Sequence, residues 1–353
     1  AYGSAGVVIA ILDSGVDIDH PDLRLVAGYD YGSGDTNPDD NSGNAGHGTA
    51  CAGVAAAIAN NNLGVSGIAG GSSIMPCKVA NSAGSMYFSY IQDALYWAAD
   101  HGADVISMSL GAPITSDPAT DAALQYAHDA GVVVLAATGT ENASTISYPA
   151  IHSAVIGVGA ASPCGDRKRS SSSRFEVSSG VNTDPNGYTC DGERWWGSNY
   201  GVDSPDAAGA VDVIAPTIMP TTDIGGSAGY ASGDYSMWFN GTSCATPYAA
   251  GVCGLIISAN PSFTPDQVRE RLVSTAQDVV NVESGAGWDR YSGYGMVDAD
   301  AAVAGSNPVP VAQFSGTPLS GMVPLNVSFT DASSNADSYS WTFGDGGTST
   351  AQN

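Results

Sequence analysis

"DVISMSLGAPITSDPATDAALQYAHDAGVVVLAATGT", residues 104–140, holds a complete strand–helix–strand unit. Asp104–Leu110 has the pattern of a short buried strand. Asp117 is placed to cap a helix, Pro118 sits in its first turn, and Gly131 follows its end at Ala130. Val132–Ala137 is then a continuous apolar run, as found in a parallel strand covered on both faces. Working outward, Gly6–Leu12, Ser73–Val79, Ala154–Gly159 and Val211–Ile214 repeat the strand pattern, and Ser85–Asp100 repeats the helical one. Alternation of this kind predicts an α/β fold with a doubly wound, mostly parallel sheet. Such a sheet carries its active site where loops leave the carboxyl ends of the strands.

The composition is consistent with that class. The chain has 353 residues, 43% hydrophobic and only 13% charged, enough for a sizeable core, and its 45 glycines favour close backbone packing. Thirty-five acidic residues against 10 basic ones give a net charge of −25, which repels nucleic acid and suits a soluble exported protein. No apolar run reaches the roughly 18 residues of a membrane span, so no membrane partner is expected. Half of the positive charges, Arg167, Lys168, Arg169, Arg174 and Arg194, fall in one Ser-rich stretch that reads as a surface insertion. Cys164 and Cys190 lie in that polar stretch, and a disulfide between them is expected. Cys51, Cys77, Cys244 and Cys253 lie in apolar or small-residue runs and read as buried thiols. The sequence shows no signal peptide, as expected for a mature exported chain or a fragment.

After "GSNPVP" (305–310) the helical patterns stop. "VAQFSG", "LNVSFTD" and "SYSWTFGDG" alternate apolar with polar residues around turn signals, the pattern of a β-sandwich. Too few residues follow for a whole sandwich, so the chain reads as cut short, with domains at 1–305 and 306–353.

Three segments place a reactive side chain at a sharp exit from regular structure. Asp13 ends the strand in "VVIAILDSGVDIDHPDL", His47 heads a helix of small residues in "GHGTACAGVAAAIA", and Ser243 opens another in "FNGTSCATPYAAGVCGLI". Singly, each has an ordinary reading as a turn or helix cap. Together they are what nucleophilic acyl transfer requires. A serine attacks, an imidazole takes and returns its proton, and a carboxylate holds the imidazole's tautomer.

These three blocks resemble the subtilisin-like serine peptidases over residues 1 to about 305, and "WTFGDG" with "PVAQFSG" resembles a PKD domain, an immunoglobulin-like module. The resemblance implies a secreted, monomeric serine endopeptidase acting on proteins or peptides through the triad Asp13, His47, Ser243. It places peptide substrate as an added strand against "AGSM", including Gly84 and Ser85, and against Ser109, Leu110 and Gly111. The pocket for the residue before the scissile bond maps onto Gly139, Ser147 and, at the rim, Glu141. A neutral floor implies apolar or aromatic preference, with Glu141 leaving basic side chains as the alternative. The family's oxyanion asparagine is replaced by Thr140, with Asn142, two residues on, as the alternative donor.

The resemblance also implies structural calcium held by Asp22, Asn61, Leu63 and Val65, whose oxygens suit a hard cation. A second acidic loop, "DTNPDDNS" (35–42), reads either as a solvated turn or as another calcium loop. Two other readings stay open. One is the family's dibasic-cleaving, kexin-like branch, which shares a cysteine at the place of Cys51. The other is a weak or inactive protease-like protein whose tail binds an insoluble polymer.

Overall fold

The computed structural model describes residues 2–169, 195–281 and 283–304, and in the C-terminal stretch 313–321, 323–331, 333, 340–344 and 346–351. The chain divides into two compact units, Ala1–Val303 and Ala304–Asn353.

In the first unit, strands and helices follow in the order β1 (Val8–Asp13), β2 (Tyr29–Asp30), α1 (His47–Ala56), β3 (Ser73–Lys78), α2 (Phe88–Asp100), β4 (Val105–Met108), α3 (Pro118–Asp129), β5 (Val133–Ala137), β6 (Val155–Ala161), β7 (Val213–Pro216), β8 (Met219–Thr222), β9 (Tyr235–Phe239), α4 (Thr242–Ala259), α5 (Pro265–Ser274) and α6 (Ala299–Val303). Seven strands form one parallel sheet in the order β2-β3-β1-β4-β5-β6-β7. The order reverses around β1, so the loops that leave β1 and β4 diverge and open a crevice between them. The unit at 104–140 has the expected form. Asp117 caps α3 by accepting from the Thr120 N–H, with Pro118 in the first turn.

One apolar cluster fills the sheet face covered by α1, α4 and α5, and a second fills the face covered by α2 and α3. β1, β3, β4, β5 and β6 are almost wholly buried, which explains why they read as continuous apolar runs rather than alternating ones. Among these helices α4 is the longest, at 18 residues. It is long and apolar enough to cross a membrane, yet 72% of that stretch is buried inside the protein, as in the core helix of a globular fold.

Two features depart from the sequence reading. Arg167, Lys168 and Arg169 are not on the surface but 2%, 0% and 3% exposed. Arg167 pairs with Glu283, and Lys168 lies over the Trp196 ring and donates to its carbonyl. Charges so buried are retained only with partners, and the partners lie 28 to 116 residues away. The second is the antiparallel pair β8–β9, short and bulged, which gave no alternating signal. Cys51, Cys77, Cys244 and Cys253 are buried free thiols, as expected. Cys190, Arg174 and Arg194 lie outside the described residues.

The second unit contains β10 (Phe314–Thr317) paired antiparallel with β11 (Ser328–Asp331), and β12 (Trp341–Thr342) paired antiparallel with β13 (Thr348–Ser349). Phe314, Phe329, Trp341 and Phe343 cluster, with ring centroids 5.3 to 6.4 Å apart.

Candidate active site

Asp13 is the last residue of β1, His47 the first of α1 and Ser243 the second of α4, so three separate elements meet at the carboxyl end of the sheet. Asp13 is 1% exposed. Its Oδ1 accepts from the Ser14 N–H at 2.7 Å and lies 2.7 Å from His47 Nδ1. The close approach of α1 to β1 depends on Gly48, where a side-chain carbon would fall on Gly15 O and 3.0 Å from Asp13 Cβ. Burial alone would disfavour imidazolium. The charge and hydrogen bond of the facing Asp13 carboxylate, together with the Cys51 sulfur, outweigh it and raise the His47 pKa well above its ordinary value.

The Cys51 thiol joins the three residues. Its Sγ is 3.7 Å from Asp13 Oδ2, 4.0 Å from His47 Nδ1 and 3.5 Å from Ser243 O. Burial pushes this thiol's pKa up, so it remains protonated and serves as a weak donor. Ser109 Oγ also donates to Ser243 O, at 2.9 Å, while Ser243 Oγ makes a long 3.5 Å contact to Ser109 O. A cleft of about 420 Å³ opens here, lined by Asn44, Ala45, His47, Met86, Ser109, Ala228, Gly229 and Tyr230. Phe239 packs edge-on against His47, and Tyr230 against Phe239, so the β8–β9 hairpin forms one wall.

The expected substrate edges flank this cleft. Gly84 and Ser85 form a turn, with both Gly84 N and Ser85 N donating to Asn81, and the Gly84 carbonyl accepts from Asn44 Nδ2 at 2.9 Å. Ser109, Leu110 and Gly111 follow β4, after which Ala112 pairs antiparallel with Tyr148. Gly139, Glu141 and Ser147 come together. At Gly139, with φ +106°, a Cβ would fall on Asn199 Nδ2 and lie 2.7 Å from Glu141 Oε2 and 2.8 Å from Ser147 Oγ.

Asn199, which gave no sequence signal, organises that pocket. Its Oδ1 accepts from the N–H groups of Glu141 and Ala143, and its Nδ2 donates to Thr138 O and Glu141 Oε2. The methyl of Thr140 lies 3.7 Å from where a Cβ on Gly241 would be, beside the start of α4. Asn142 turns elsewhere. It has φ +56°, and its Oδ1 accepts from Arg167 Nη1 at 3.0 Å.

Asp22, in the segment after β1, is fully buried and bonded to the 59–65 loop. Its Oδ1 accepts from Asn61 Nδ2 at 2.6 Å and its Oδ2 from Val65 N at 3.1 Å, while Leu63 N donates to Asn61 Oδ1. The carboxylate, the amide and the loop carbonyls are all oxygen donors, the chemistry a hard cation requires. A half-turn of the Asn61 amide would bring its oxygen beside that of Asp22. In the other acidic loop Asp35, Thr36, Asn37 and Asn41 are exposed, as in a solvated turn, whereas the carboxylate of Asp40 is buried and occupied by four protein donors.

The sequence pattern of the Subtilase family matches residues 4–295. Subtilisin from Bacillus pumilus is 34% identical over 305 residues, covering 85% of this chain and 92% of that protein. Subtilisin E from Bacillus subtilis (strain 168) is 35% identical over 305 residues, covering 85% of this chain and 66% of that protein. The solved structure of sphericase aligns with a TM-score of 0.67 at 27% identity, over 84% of this chain and 92% of that one. By sequence and by fold alike, the chain belongs to the subtilase family and is a serine endopeptidase of the subtilisin kind.

Proposed function

We propose that the chain is a secreted endopeptidase in which Asp13, His47 and Ser243 are the catalytic triad. The observation that carries this reading is the 2.7 Å contact of Asp13 Oδ1 with His47 Nδ1, at strand and helix ends that also bring Ser243 to Cys51. Ser243 Oγ attacks the peptide carbonyl carbon as His47 Nε2 takes its proton, giving a tetrahedral oxyanion and an imidazolium stabilised by Asp13. The imidazolium then protonates the leaving amine as the C–N bond breaks, leaving an acyl-enzyme. Water, deprotonated by His47, hydrolyses that ester and restores Ser243.

The oxyanion is met by the main-chain N–H of Ser243, in the first turn of α4, where N–H groups have no intrahelical acceptor. Thr140 is the second donor in this reading, supported by its place beside Gly241 and by the engagement of Asn142 with Arg167. A threonine hydroxyl has a shorter reach than an asparagine amide, so it donates directly only with an inward shift of the loop, or else through a water. The enzyme is therefore active but slowed.

Extended substrate pairs with Gly84–Ser85 and Ser109–Gly111, and the pocket at Gly139, Glu141 and Ser147 takes an apolar or aromatic side chain. Glu141 is held by Asn199, which favours this preference over the dibasic one. Asp22, Asn61, Leu63 and Val65 would hold a structural calcium that ties the 59–65 loop to the β1 exit. A Cys164–Cys190 bridge belongs to the same reading, as does a monomeric enzyme at residues 1–305. The tail at 306–353 is read as PKD-like and as a module for insoluble polymers, supported by its two antiparallel strand pairs and aromatic cluster.

An active-site organophosphonate followed by intact-mass analysis tests the triad. One adduct, mapped to Ser243 and abolished in Ser243→Ala, is expected. A protein that stays unmodified favours the binding-protein reading.

A further inference from the structure

α1 begins without a cap of its own. The residue before it is Gly46, with φ +95°, and no side chain there accepts from the first turn, although His47 is the first helical residue. The missing acceptor comes from the 38–42 loop. Asp40 is 4% exposed, and its Oδ2 accepts from Gly46 N at 2.9 Å, Thr49 N at 3.1 Å and Thr49 Oγ1 at 2.6 Å. Its Oδ1 accepts from Ser14 Oγ at 2.8 Å, and Ser14 Oγ in turn accepts from Gly48 N at 2.9 Å. Ser14 is the residue after Asp13 and donates its own N–H to Asp13 Oδ1. One carboxylate therefore grips the end of β1 and the start of α1, the two segments that hold Asp13 and His47.

We propose that Asp40 is a positioning residue of the hydrolytic site, acting through Ser14 and the first turn of α1 to fix the Asp13–His47 contact. It touches no substrate in this arrangement. A carboxylate at a helix N-terminus is favoured by the helix dipole and by orphan N–H groups, which explains why a charge is kept in a buried place. The proposal rests on the triad reading given above.

Protonation would weaken the grip, because a neutral carboxyl accepts less strongly and must place its own proton among donors. Burial pushes the Asp40 pKa up to about 6, against the opposing pull of the Thr49 and Ser14 hydrogen bonds. The charged and titratable groups around it are Asp13 from β1, His47 and Cys51 from α1, and Asp17 from the β1 exit, which donates its N–H to Thr49. Lys78 of β3 bonds Asn41, Asp39 adjoins in the loop, and Asp223 of the hairpin lies against Gly46. Because its pKa is raised, Asp40 is charged above about pH 6 and neutral below, so the loss falls on the acid side, beyond the protonation of His47.

The test is the pH dependence of kcat/KM on one peptide ester, for the full chain beside Asp40→Asn and Ser14→Ala, with Tm and phosphonate labelling in parallel. The wild-type acid limb should steepen from one proton toward two below about pH 6, and Asp40→Asn should return it to one. Asp40→Asn keeps the shape and one acceptor oxygen. Its plateau kcat should fall by about tenfold with KM within about twofold, since orientation rather than binding is lost. Ser14→Ala should fall in the same direction. A one-proton limb in the wild type, or an Asp40→Asn protein with wild-type kcat and limb and only a lower Tm, overturns the proposal. Should Asp40→Asn not fold, the wild-type limb and Ser14→Ala decide it. A wild-type protein that phosphonate leaves unlabelled overturns the triad reading and this proposal together, whereas labelling with an unchanged Ser14→Ala and a one-proton limb overturns this proposal alone.

Discussion

The two halves of the proposed active site are built differently. Around Asp13 and His47, the β1 exit and the start of α1 touch backbone to backbone, with Gly48 against Gly15, and short polar side chains fill what remains. Around Gly139 and Ser147, the pocket loop is held open by side chains sent from afar. Asn199 braces Thr138, Glu141 and Ala143, and Arg167 holds Asn142 while pairing with Glu283. The first construction holds the Asp13–His47 pair by direct backbone approach, and the second leaves a pocket whose shape depends on its braces. Chemistry and selectivity should accordingly separate under mutation.

The largest effect that would sharpen this contrast is at their junction. Thr140→Asn should raise kcat by up to about a hundredfold with little change in KM, because the oxyanion exists only near the transition state; the size is that of the oxyanion donor measured in subtilisin itself. Steady-state kinetics on a peptide ester check it. An unchanged or lower kcat, with a hundredfold loss in Asn142→Ala, would assign the donor to Asn142.

Next is the ion proposed for the first half. Chelation should destabilise the fold by about 2.7 kcal/mol relative to calcium at a hundredfold excess over its dissociation constant. Melting curves should show the loss in the parent chain and not in Asp22→Asn. Equal curves with and without chelator, after elemental analysis confirms metal removal, would leave the tightness of this half to protein contacts alone.

The smallest effect probes the second half. Asn199→Ala leaves the Glu141 and Ala143 N–H groups and the Glu141 carboxylate without their partner, a cost of about 1–3 kcal/mol in stability. Because those groups frame the pocket and not the triad, KM for a peptide ester should rise several-fold with kcat nearly unchanged. A fall in kcat with KM unchanged would break the contrast, by showing that the braces act on the chemistry.

Legibility in the sequence follows the same division. The strand–helix–strand unit at 104–140 was readable because its signals are local: a cap at Asp117, a proline at 118, a stop at Gly131 and an apolar run after it. Asp13, His47 and Ser243 stood out because each sits at an element end inside a distinctive block. The β8–β9 hairpin was not readable, since its strands are short, bulged and without alternation, and its place as a cleft wall depends on Tyr230 packing on Phe239. The basic run at 167–169 reads as surface because burial of charge is invisible until Glu283 and Trp196 are brought to it.

The sequence by itself determined the parallel α/β layers, the order of the reactive residues and the identity of the small residues that let α1 approach β1, because hydrophobic period, turn chemistry and side-chain size are local properties. Only the tertiary structure decided that Asp40 is a buried clamp rather than a solvated acid, that Asn199 organises the pocket, and that Asn142 is turned to Arg167 while Thr140 faces the start of α4. Each of these turns on which polar groups meet away from water across tens of residues of chain, and a buried donor or acceptor is defined by the partner that folding brings to it.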